Sequence, residues 1–265
     1  FMLGGAIGSA LGWRSAFFIT GAPGVLLALS LLLLVEPERG RHDLVRPTSK
    51  KRSFGETLAA LRARPSYVVN TIAQTLYTFA MGGLAVWMPT YFVRERGLPL
   101  AQASFLFGLC LVLAGLLGTV VGGQMGERMA RRSPDSPFVF SGVTLVASLP
   151  FVVTSVLVAQ PAIFWPAMFV TLFLLFMNTG PLNAAMANVL PADLRASGFA
   201  IYTMVIHVFG DGPSPTLIGL ASDAWGLRLP VLAAGALLTI AGLVLIAGRA
   251  TLVKDMATHG TAARP

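Results

Sequence analysis

The sequence predicts an all-α membrane protein, and two features of its composition lead to this prediction. Hydrophobic residues make up 55% of the 265 residues and charged residues only 11%, whereas about a quarter of a typical soluble domain is charged. The apolar residues also recur in runs of about 20, the length of helix that crosses a hydrocarbon core. Because such a chain lacks the charge to cover a water-facing surface, we expect several membrane-spanning helices.

The first part of the chain is predicted to contain the end of one helix and a complete second one. Residues 1–11 resemble the tail of a helix that begins upstream, since the chain starts at Phe1 within an apolar, glycine-rich segment. Because the chain starts inside that helix, we expect the N-terminal part of the protein to be absent from this sequence. Residues 1–11 also lack the charged n-region of a signal peptide and are not predicted to be one. Residues 15–34 form the first complete span, with a kink expected at Pro23 and Gly24.

Residues 35–65 form the longest polar segment and are predicted to link two helical bundles. The segment holds eight of the 19 Lys and Arg residues of the chain. Within it, Phe54–Arg64 places Phe54, Leu58 and Leu61 at helical spacing, a pattern typical of an amphipathic helix at a membrane surface.

Six more spans follow this segment, and with residues 15–34 they make seven complete spans. Asn178–Asp223 consists of two apolar helices joined by a polar turn at residues 191–195. Gly82, Gly83 and Pro89 are able to interrupt the first of the six spans. A polar tail ends the chain at residues 250–265. The six spans are residues 66–93, 101–122, 137–158, 162–189, the second helix of Asn178–Asp223, and 229–248.

The distribution of basic residues predicts which ends of the spans face the cytoplasm. If residues 35–65 are cytoplasmic, 15 of the 19 Lys and Arg residues lie on that side and four lie on the other. Cytoplasmic loops of membrane proteins carry this excess, so we predict a cytoplasmic C-terminus. The same distribution accounts for the net charge of +8 without a nucleic-acid partner.

The connection after span 101–122 carries the first recognisable motif. It reads GQMGERMARR over residues 123–132 and resembles the signature loop of the major facilitator superfamily, Gly-x-x-x-Asp-Arg-x-Gly-Arg-Arg. Glu127 stands at the acidic position and can pair with Arg128 or Arg131 near a helix end, which would latch one conformation. The gating residues implied by this motif are Gly123, Glu127, Arg128, Arg131 and Arg132. The alternative is a solvated basic loop that sets topology only.

A second resemblance narrows the family to its Spinster-like branch, which transports sphingolipids or lysophospholipids. It is carried by Thr78–Gly97 and by Asn178–Asp223, most specifically by IHVFGDGPSPTLIGLASD over Ile206–Asp223. That branch typically has His, then Gly-Asp, then Ser-Pro-Pro, then Leu-Ile-Gly and Ser-Asp. Here Pro213 is added, and Thr216 replaces the second proline of the usual pair.

The resemblance implies the fold and the domain organisation. Residues 1–34 would be the tail of helix 5 and helix 6 of an N-terminal bundle, and residues 35–65 a cytoplasmic linker between bundles. Residues 66–249 would be the C-terminal six-helix bundle of the major facilitator superfamily fold, and residues 250–265 a cytoplasmic tail. The absent N-terminal half of the same transporter is therefore an expected partner.

His207 and Asp211 are the most unusual polar pair within a predicted span. They are four residues apart and therefore share one helix face, and an acidic residue near the middle of a span is a functional-site candidate. The pair could bind and release a proton as the carrier opens to either side. Alternatively, it is a structural polar pair or a hinge.

Polar side chains also follow one side of the span at residues 66–93, and others lie on the span at residues 162–189. In the superfamily these spans, the seventh and tenth helices, line the central cavity, and substrates bind between the two halves. The alternative is hydrogen bonding between helices, worth about 0.6–2 kcal/mol per bond. The cavity residues predicted in this way are Asn70, Gln74, Tyr77, Thr78, Asn178, Asn183 and Asn188.

The sequence disfavours an enzyme, because it holds no metal-ligand cluster, nucleophile elbow or phosphate loop. With one cysteine, Cys110, it can form no disulfide within the chain, and we expect no cofactor. We predict a secondary transporter with alternating access, carrying an amphipathic lipid and coupled to protons. The alternatives are a carrier of a small organic anion, or a truncated fragment that does not transport. We expect a multi-pass protein of the bacterial inner membrane, surrounded by membrane lipids.

Overall fold

The computed structural model describes residue 7, residues 11–33 and residues 52–260, and within these ranges the regular structure is helical. A π-helical turn, His207–Asp211, follows the helix that ends at Ile206. Expectations for residues 1–6, 8–10, 34–51 and 261–265 lie outside the described residues. The helices are α1 Trp13–Leu31, α2 Phe54–Arg62, α3 Pro65–Arg96, α4 Leu100–Ala130, α5 Ser136–Leu157, α6 Pro161–Phe176, α7 Thr179–Val189, α8 Ala192–Ile206, α9 Ser214–Trp225, α10 Arg228–Ala247 and α11 Arg249–Gly260.

Five described helical segments are long and apolar enough to cross a membrane: α3, α4, α5, the consecutive α6 and α7, and α10. They correspond to five of the seven predicted spans. The other two do not reach that length as single apolar helices. In α1 the apolar part is Phe17–Leu31, and the crossing formed by α8 and α9 is divided at the π-helical turn.

The spanning helices pack closely because glycines stand where they meet. α10 lies along α5 and α3, and α6 lies between α5 and α4. A Cβ atom on Gly142 of α5 would approach the carbonyl oxygen of Gly242 in α10 to 2.6 Å. A Cβ atom on Gly122 of α4 would come within 2.2 Å of the carbonyl oxygen of Met177. These contacts join helix backbones directly, as small residues allow in membrane bundles.

The predicted interruption of the span at residues 66–93 is absent from the structure. α3 continues through Gly82, Gly83 and Pro89 as one 32-residue helix, and α1 also continues through Pro23. The two glycines of α3 serve packing instead, since a Cβ atom on Gly83 would lie 2.1 Å from the side chain of Ile218 in α9.

The short helix α2 matches the amphipathic segment predicted at Phe54–Arg64. A capping box starts it: the Ser53 amide donates to Glu56 Oε2 at 2.8 Å, and the Glu56 amide donates to Ser53 Oγ at 3.2 Å. Leu61 is fully buried against Leu190 and Tyr202, whereas Phe54 remains exposed. One part of the apolar face of α2 therefore packs against the bundle, where Leu61 faces α7 and α8, and the other part, with Phe54, is exposed.

A further difference lies at the C-terminal end of the chain. Residues 250–265 were expected to be a polar tail, but Arg249–Gly260 form α11. This helix packs against α3, α5 and α7. Its packing depends on contacts distant in the sequence, such as that of Leu252, which is 1% exposed. We call the end of the bundle that carries α2, the start of α3 and α11 the linker end.

Candidate functional site

The site centres on the π-helical turn where the α8–α9 crossing meets α3. In this turn the Gly212 amide donates to the His207 carbonyl oxygen at 2.9 Å, five residues back rather than four. Such a turn accommodates one extra residue in a helix and is frequent at functional sites. His207 Nδ1 lies 2.9 Å and 3.0 Å from the two carboxylate oxygens of Asp211. The two side chains therefore pair directly, as their spacing predicts.

Glycines bring this turn against α3. A Cβ atom on Gly82 would lie 2.3 Å from the Cβ atom of Asp211, closer than two carbons can approach. On the other side of the contact, a Cβ atom on Gly210 would lie 3.0 Å from Thr78 and 3.1 Å from the Thr75 carbonyl oxygen. The position of Asp211 is consequently set by backbone contact with α3.

Trp87 links α3 to the α8–α9 crossing about one turn further along α3. Its indole Nε1 donates to the Pro215 carbonyl oxygen at 2.8 Å. The indole ring also lies over Gly219, where a Cβ atom would approach it to 2.8 Å. The acceptor, Pro215, lies in the first turn of α9, just beyond the π-helical turn.

The polar side chains predicted along one side of α3 contact the junction of α6 and α7. Gln74 Nε2 donates to Asn178 Oδ1 at 3.2 Å, and the Tyr77 hydroxyl donates to the Leu175 carbonyl oxygen at 3.2 Å. Asn178 Nδ2 donates to the same carbonyl. Gln74 and Asn178 are 6% and 1% exposed, so in this conformation both amides join helices to each other.

The remaining residues of the predicted cavity lie apart from that cluster. Asn70 is buried, and its Oδ1 has no hydrogen-bond partner among the described residues. Thr78 is half-buried beside Gly210. Asn183 and Asn188 are exposed on α7. The structure thus brings Gln74, Tyr77 and Asn178 into contact and leaves the two asparagines of α7 outside it.

The predicted gating segment at residues 123–132 is mostly helical. α4 continues to Ala130, so the motif forms the last two turns of that helix and not a loop. Arg131 Nη2 donates to Glu127 Oε1 at 2.7 Å across one turn, and both side chains are largely exposed. Arg128 and Arg132 are exposed as well.

A cleft of about 610 Å³ opens beside this motif at the linker end. It lies between the end of α4, the start of α5, α7 and α11. A Cβ atom on Gly126 would approach the Pro181 ring to 2.3 Å, so α4 and α7 touch at its floor. Residues of its lining include Gly123, Glu127, Asn188 and Met256.

At the opposite end of the bundle, Arg96 fastens α3 to α5. Arg96 Nη2 donates to the Val156 carbonyl oxygen at 2.7 Å, near the C-terminus of α5, where carbonyl groups lack helical partners. Its guanidinium group lies 5.2 Å from the Phe164 ring centre. Arg228 at the start of α10 pairs with Glu95 at 2.9 Å. No local sequence pattern connects Arg96 with Val156 or Arg228 with Glu95, because the partners lie on other helices.

Comparison with known proteins identifies the class and then the family. A model of the Major Facilitator Superfamily matches residues 1–215. "Protein spinster homolog 1" of Rattus norvegicus is 32% identical over 229 residues, covering 80% of this chain and 43% of the relative. "Sphingosine-1-phosphate transporter SPNS2" of Danio rerio is 27% identical over 227 residues, covering 80% of this chain and 45% of the relative.

A solved structure supports the same fold. The crystal structure of a bacterial homologue of the human lysosomal transporter Spinster, in an inward-facing and unoccupied conformation, superposes with a TM-score of 0.76 at 22% identity. The alignment covers 92% of this chain and 60% of that one.

The chain is thus part of a multi-pass integral membrane protein. The chain belongs to the major facilitator superfamily, within its Spinster-like branch. The family and fold class predicted from residues 123–132 and Ile206–Asp223 are confirmed. The chain spans somewhat less than half the length of the curated relatives it matches.

Proposed function

We propose that the chain forms the C-terminal bundle and linker of a secondary transporter that carries an amphipathic lipid by alternating access. The observation that supports it best is the relationship to Spinster homologues, one of which is named as a sphingosine-1-phosphate transporter. An N-terminal bundle completes the carrier, and substrate binds between the two halves near the membrane midplane. We place the protein in a bacterial inner membrane with a cytoplasmic C-terminus.

The chemistry of the spans favours a lipid over a small organic anion. An anion carrier needs a cationic group in its cavity to offset desolvation of the substrate charge. In the described spans, Lys and Arg residues occur near helix ends, as Arg94, Arg96 and Arg128 do. An anion would therefore depend on a cation from the other bundle, whereas a lipid tail matches the apolar walls supplied here.

The polar residues take two roles in this proposal. Thr78, Asn183 and Asn188 offer partly or fully exposed polar groups to the cavity and its linker-end mouth, and Tyr77 contributes its hydroxyl when the bond to the Leu175 carbonyl oxygen opens. Gln74 and Asn178 contribute to the cavity when their mutual hydrogen bond opens, and Asn70 gains a partner for its unpaired oxygen in the same change. An unpaired buried amide costs about 1–3 kcal/mol, so a second arrangement of α3 is energetically accessible.

Glu127, together with Arg131, serves the gate at the linker end. Their ion pair lies within one helix and is exposed, so solvent screening leaves it little effect on stability in this conformation. In the alternative conformation Glu127 exchanges Arg131 for a group on the N-terminal bundle. The backbone of Gly123 lies against Gly180 of α7, where a Cβ atom would approach the Gly123 Cα atom to 3.2 Å, while Arg128 and Arg132 face the anionic leaflet.

His207 and Asp211 act first as the hinge of the α8–α9 crossing in this proposal. The π-helical turn, the flanking Pro213 and Pro215, and the contact with Gly82 concentrate the helix irregularity at this point. Proton coupling is the second possibility for the same pair. A carboxylate and an imidazole 2.9 Å apart can share one proton, and release of that proton to one side of the membrane would leave the turn with a net negative charge.

Uptake into proteoliposomes tests the proposal. The carrier with both bundles is reconstituted, and uptake of a lysophospholipid is compared with uptake of a small organic anion, with and without a proton gradient. We expect saturable lysophospholipid uptake and none by residues 1–265 alone, because half of the cavity wall is missing. Uptake of the anion without the lysophospholipid contradicts the lipid proposal, and vectorial uptake by the chain alone contradicts the half-carrier proposal.

Asp211→Asn separates the two roles of the pair. This change keeps the side-chain shape and a hydrogen-bond acceptor but removes the titratable group. If the pair is only a hinge, proton-gradient stimulation survives in the variant. If the pair couples protons, transport becomes independent of the gradient, with downhill exchange retained. Phe209→Leu, an exposed neighbour in the same turn, is the matched control and changes neither property.

A further inference from the structure

The final helix, α11, makes a buried polar contact with the first turn of α3. Asp255 is 7% exposed, and Ser66 at the second position of α3 is 1% exposed. The Asp255 carboxylate oxygen Oδ2 accepts from the Ser66 amide at 2.9 Å and from the Ser66 hydroxyl at 2.5 Å. These residues are separated by 189 positions in the chain.

Asp255 supplies a hydrogen-bond acceptor that the residue preceding α3 does not provide. The first amides of a helix have no intrahelical partner, and a preceding Ser, Thr, Asp or Asn usually caps them. At this helix the preceding residue is Arg64, which makes no capping bond, and Pro65 has no amide hydrogen. A carboxylate from another helix therefore caps α3, and its negative charge is favoured at a helix N-terminus.

The surroundings explain how a charged group is retained in this position. Burial of the Arg64 guanidinium group and the charge of Arg52 lower the pKa of Arg64, while Asp255 and Asp193 oppose that shift. Asp255 thus lies in the field of a cation that is itself partly buried. Arg52 pairs in turn with Asp193 at the start of α8, at 2.8 Å.

Apolar contacts hold α11 in register with this bond. Leu252, one turn before Asp255, is 1% exposed and packs beside Tyr67, Phe138 and Val189. At the start of α11, a Cβ atom on Gly248 would approach the side chain of Val69 to 2.4 Å. These contacts require one register of α11 against α3, and a shifted or rotated α11 would lose them.

We propose that Asp255 is a positioning residue that clamps α11 to the first turn of α3, so that the two elements move as one body at the linker end. The Tyr67 hydroxyl, which donates to the Gly198 carbonyl oxygen at 2.9 Å, extends this body to α8. The consequence for transport rests on the proposed function: the clamp sets the position from which α3 reorients. The clamp itself does not depend on that function.

Hydrogen exchange of the purified chain in lipid nanodiscs tests the clamp without substrate. We compare the parent with Asp255→Ala, Asp255→Asn and Ser66→Ala, and Lys254→Gln, an exposed neighbour on α11, is the control. Asp255→Ala is expected to speed exchange of the peptide spanning residues 65–70 at least tenfold. Asp255→Asn has a smaller effect because one acceptor oxygen remains, and Ser66→Ala has the smallest because the amide donor remains.

Two results would overturn the clamp. The first is unchanged exchange of residues 65–70 in both Asp255 variants. The second is faster exchange of equal size throughout the bundle, because that indicates general unfolding and not the loss of one contact. Combining Ser66→Ala with Asp255→Asn should add less than twofold to the effect of Asp255→Asn alone, since both changes remove the same bond.

Transport by the two-bundle carrier supplies an independent readout. Asp255→Asn is expected to lower the maximal uptake rate several-fold with little change in the apparent KM, because α3 is misplaced during reorientation and not in binding. An unchanged rate with accelerated exchange would overturn the positioning role. A parent protein that carries no lipid would contradict the proposed function, and the exchange result would still decide the clamp.

Discussion

At the scale of single residues, glycine at position 82 decides where Asp211 can lie. Neighbouring helices in membranes approach most closely where a side chain is missing, and here the approaching group carries a carboxylate. The Asp211 Cβ atom occupies the space that any larger residue at position 82 would need. Gly82, which has no side chain, thereby controls the geometry of the His207–Asp211 pair.

Gly82→Ala is therefore expected to displace Asp211 and to destabilise the protein by about 1–3 kcal/mol, the usual cost of overpacking. Thermal unfolding in detergent measures the loss, and uptake by the two-bundle carrier measures its effect on function. Gly55→Ala in α2 is the control, because a Cβ atom there meets nothing within 4 Å and should be neutral or stabilising. Equal stability of the Gly82 and Gly55 variants would contradict the close contact.

The Gln74–Asn178 bond gives a second prediction at this scale. Polar bonds between membrane helices contribute about 0.6 kcal/mol on average and up to about 1.7 kcal/mol. We expect a double-mutant cycle with Gln74→Ala and Asn178→Ala to yield a coupling free energy in that range. The Gln74→Ala and Asn183→Ala pair is the control, because Asn183 is exposed and makes no bond to Gln74 in the structure. Strict additivity in both cycles would contradict the bond.

At the scale of helices, the π-helical turn sets the orientation of α9. Each residue of an α-helix rotates the chain by about 100°, so in a continuous α-helix the extra residue would redirect every side chain that follows, whereas the π-helical turn absorbs it. In the observed register, Ser214 and Ile218 face Gly83 of α3, and Pro215 accepts the bond from Trp87. The two helices of this crossing consequently present faces that a continuous helix would not.

Deleting Val208 is expected to restore an uninterrupted helix with little rotation of α9, because it removes the residue that the π-helical turn absorbs. The Trp87–Pro215 bond and the contact of Ile218 with Gly83 would then be kept, whereas the close approach of Gly210 and Asp211 to α3 would be lost. We expect an unchanged Trp fluorescence and no uptake by the two-bundle carrier. Val208→Ala is the control, since Val208 is 58% exposed and exposed substitutions usually stay within about 0.5 kcal/mol. Normal uptake by the deletion variant would exclude the turn from transport.

At the scale of the whole molecule, the basic residues of the chain are arranged asymmetrically about the membrane. The linker end carries Arg128, Arg131, Arg132 and Lys254, whereas the opposite end carries Arg94, Arg96 and Arg228. In addition, Arg96 at the opposite end donates to the carbonyl oxygen of Val156, and Arg228 pairs with Glu95. The linker end is therefore the end that we expect in the cytoplasm.

Cysteine labelling of intact cells tests this orientation. In a Cys110→Ala background, Arg94→Cys and Lys254→Cys place single thiols at exposed positions on opposite ends of the bundle. A reagent that does not cross membranes should label position 94 in intact cells and position 254 only after permeabilisation. Labelling of both positions from one side would contradict the bundle, and the reversed pattern would contradict the predicted orientation.

The sequence determined which segments enter the membrane and which family the chain belongs to. Hydropathy is a local property, because each span must bury its own backbone hydrogen bonds in lipid. The spans at 101–122, 137–158 and 229–248 could therefore be read directly. The His207–Asp211 pairing could also be predicted, since four residues separate partners on one helix face.

The tertiary structure alone decided how the polar groups are used. Gln74 bonds to Asn178, 104 residues away, and Asp255 bonds to Ser66, 189 residues away, so no local pattern could connect them. The glycines of α3 keep that helix continuous because α9 and the π-helical turn fill the space beside them. Residues 249–260 are polar enough to resemble a free tail, and they form α11 only because the bundle provides a surface for Leu252 and a helix start for Asp255. Contacts of this kind depend on which helix faces meet, and that is a property of the folded bundle and not of any segment.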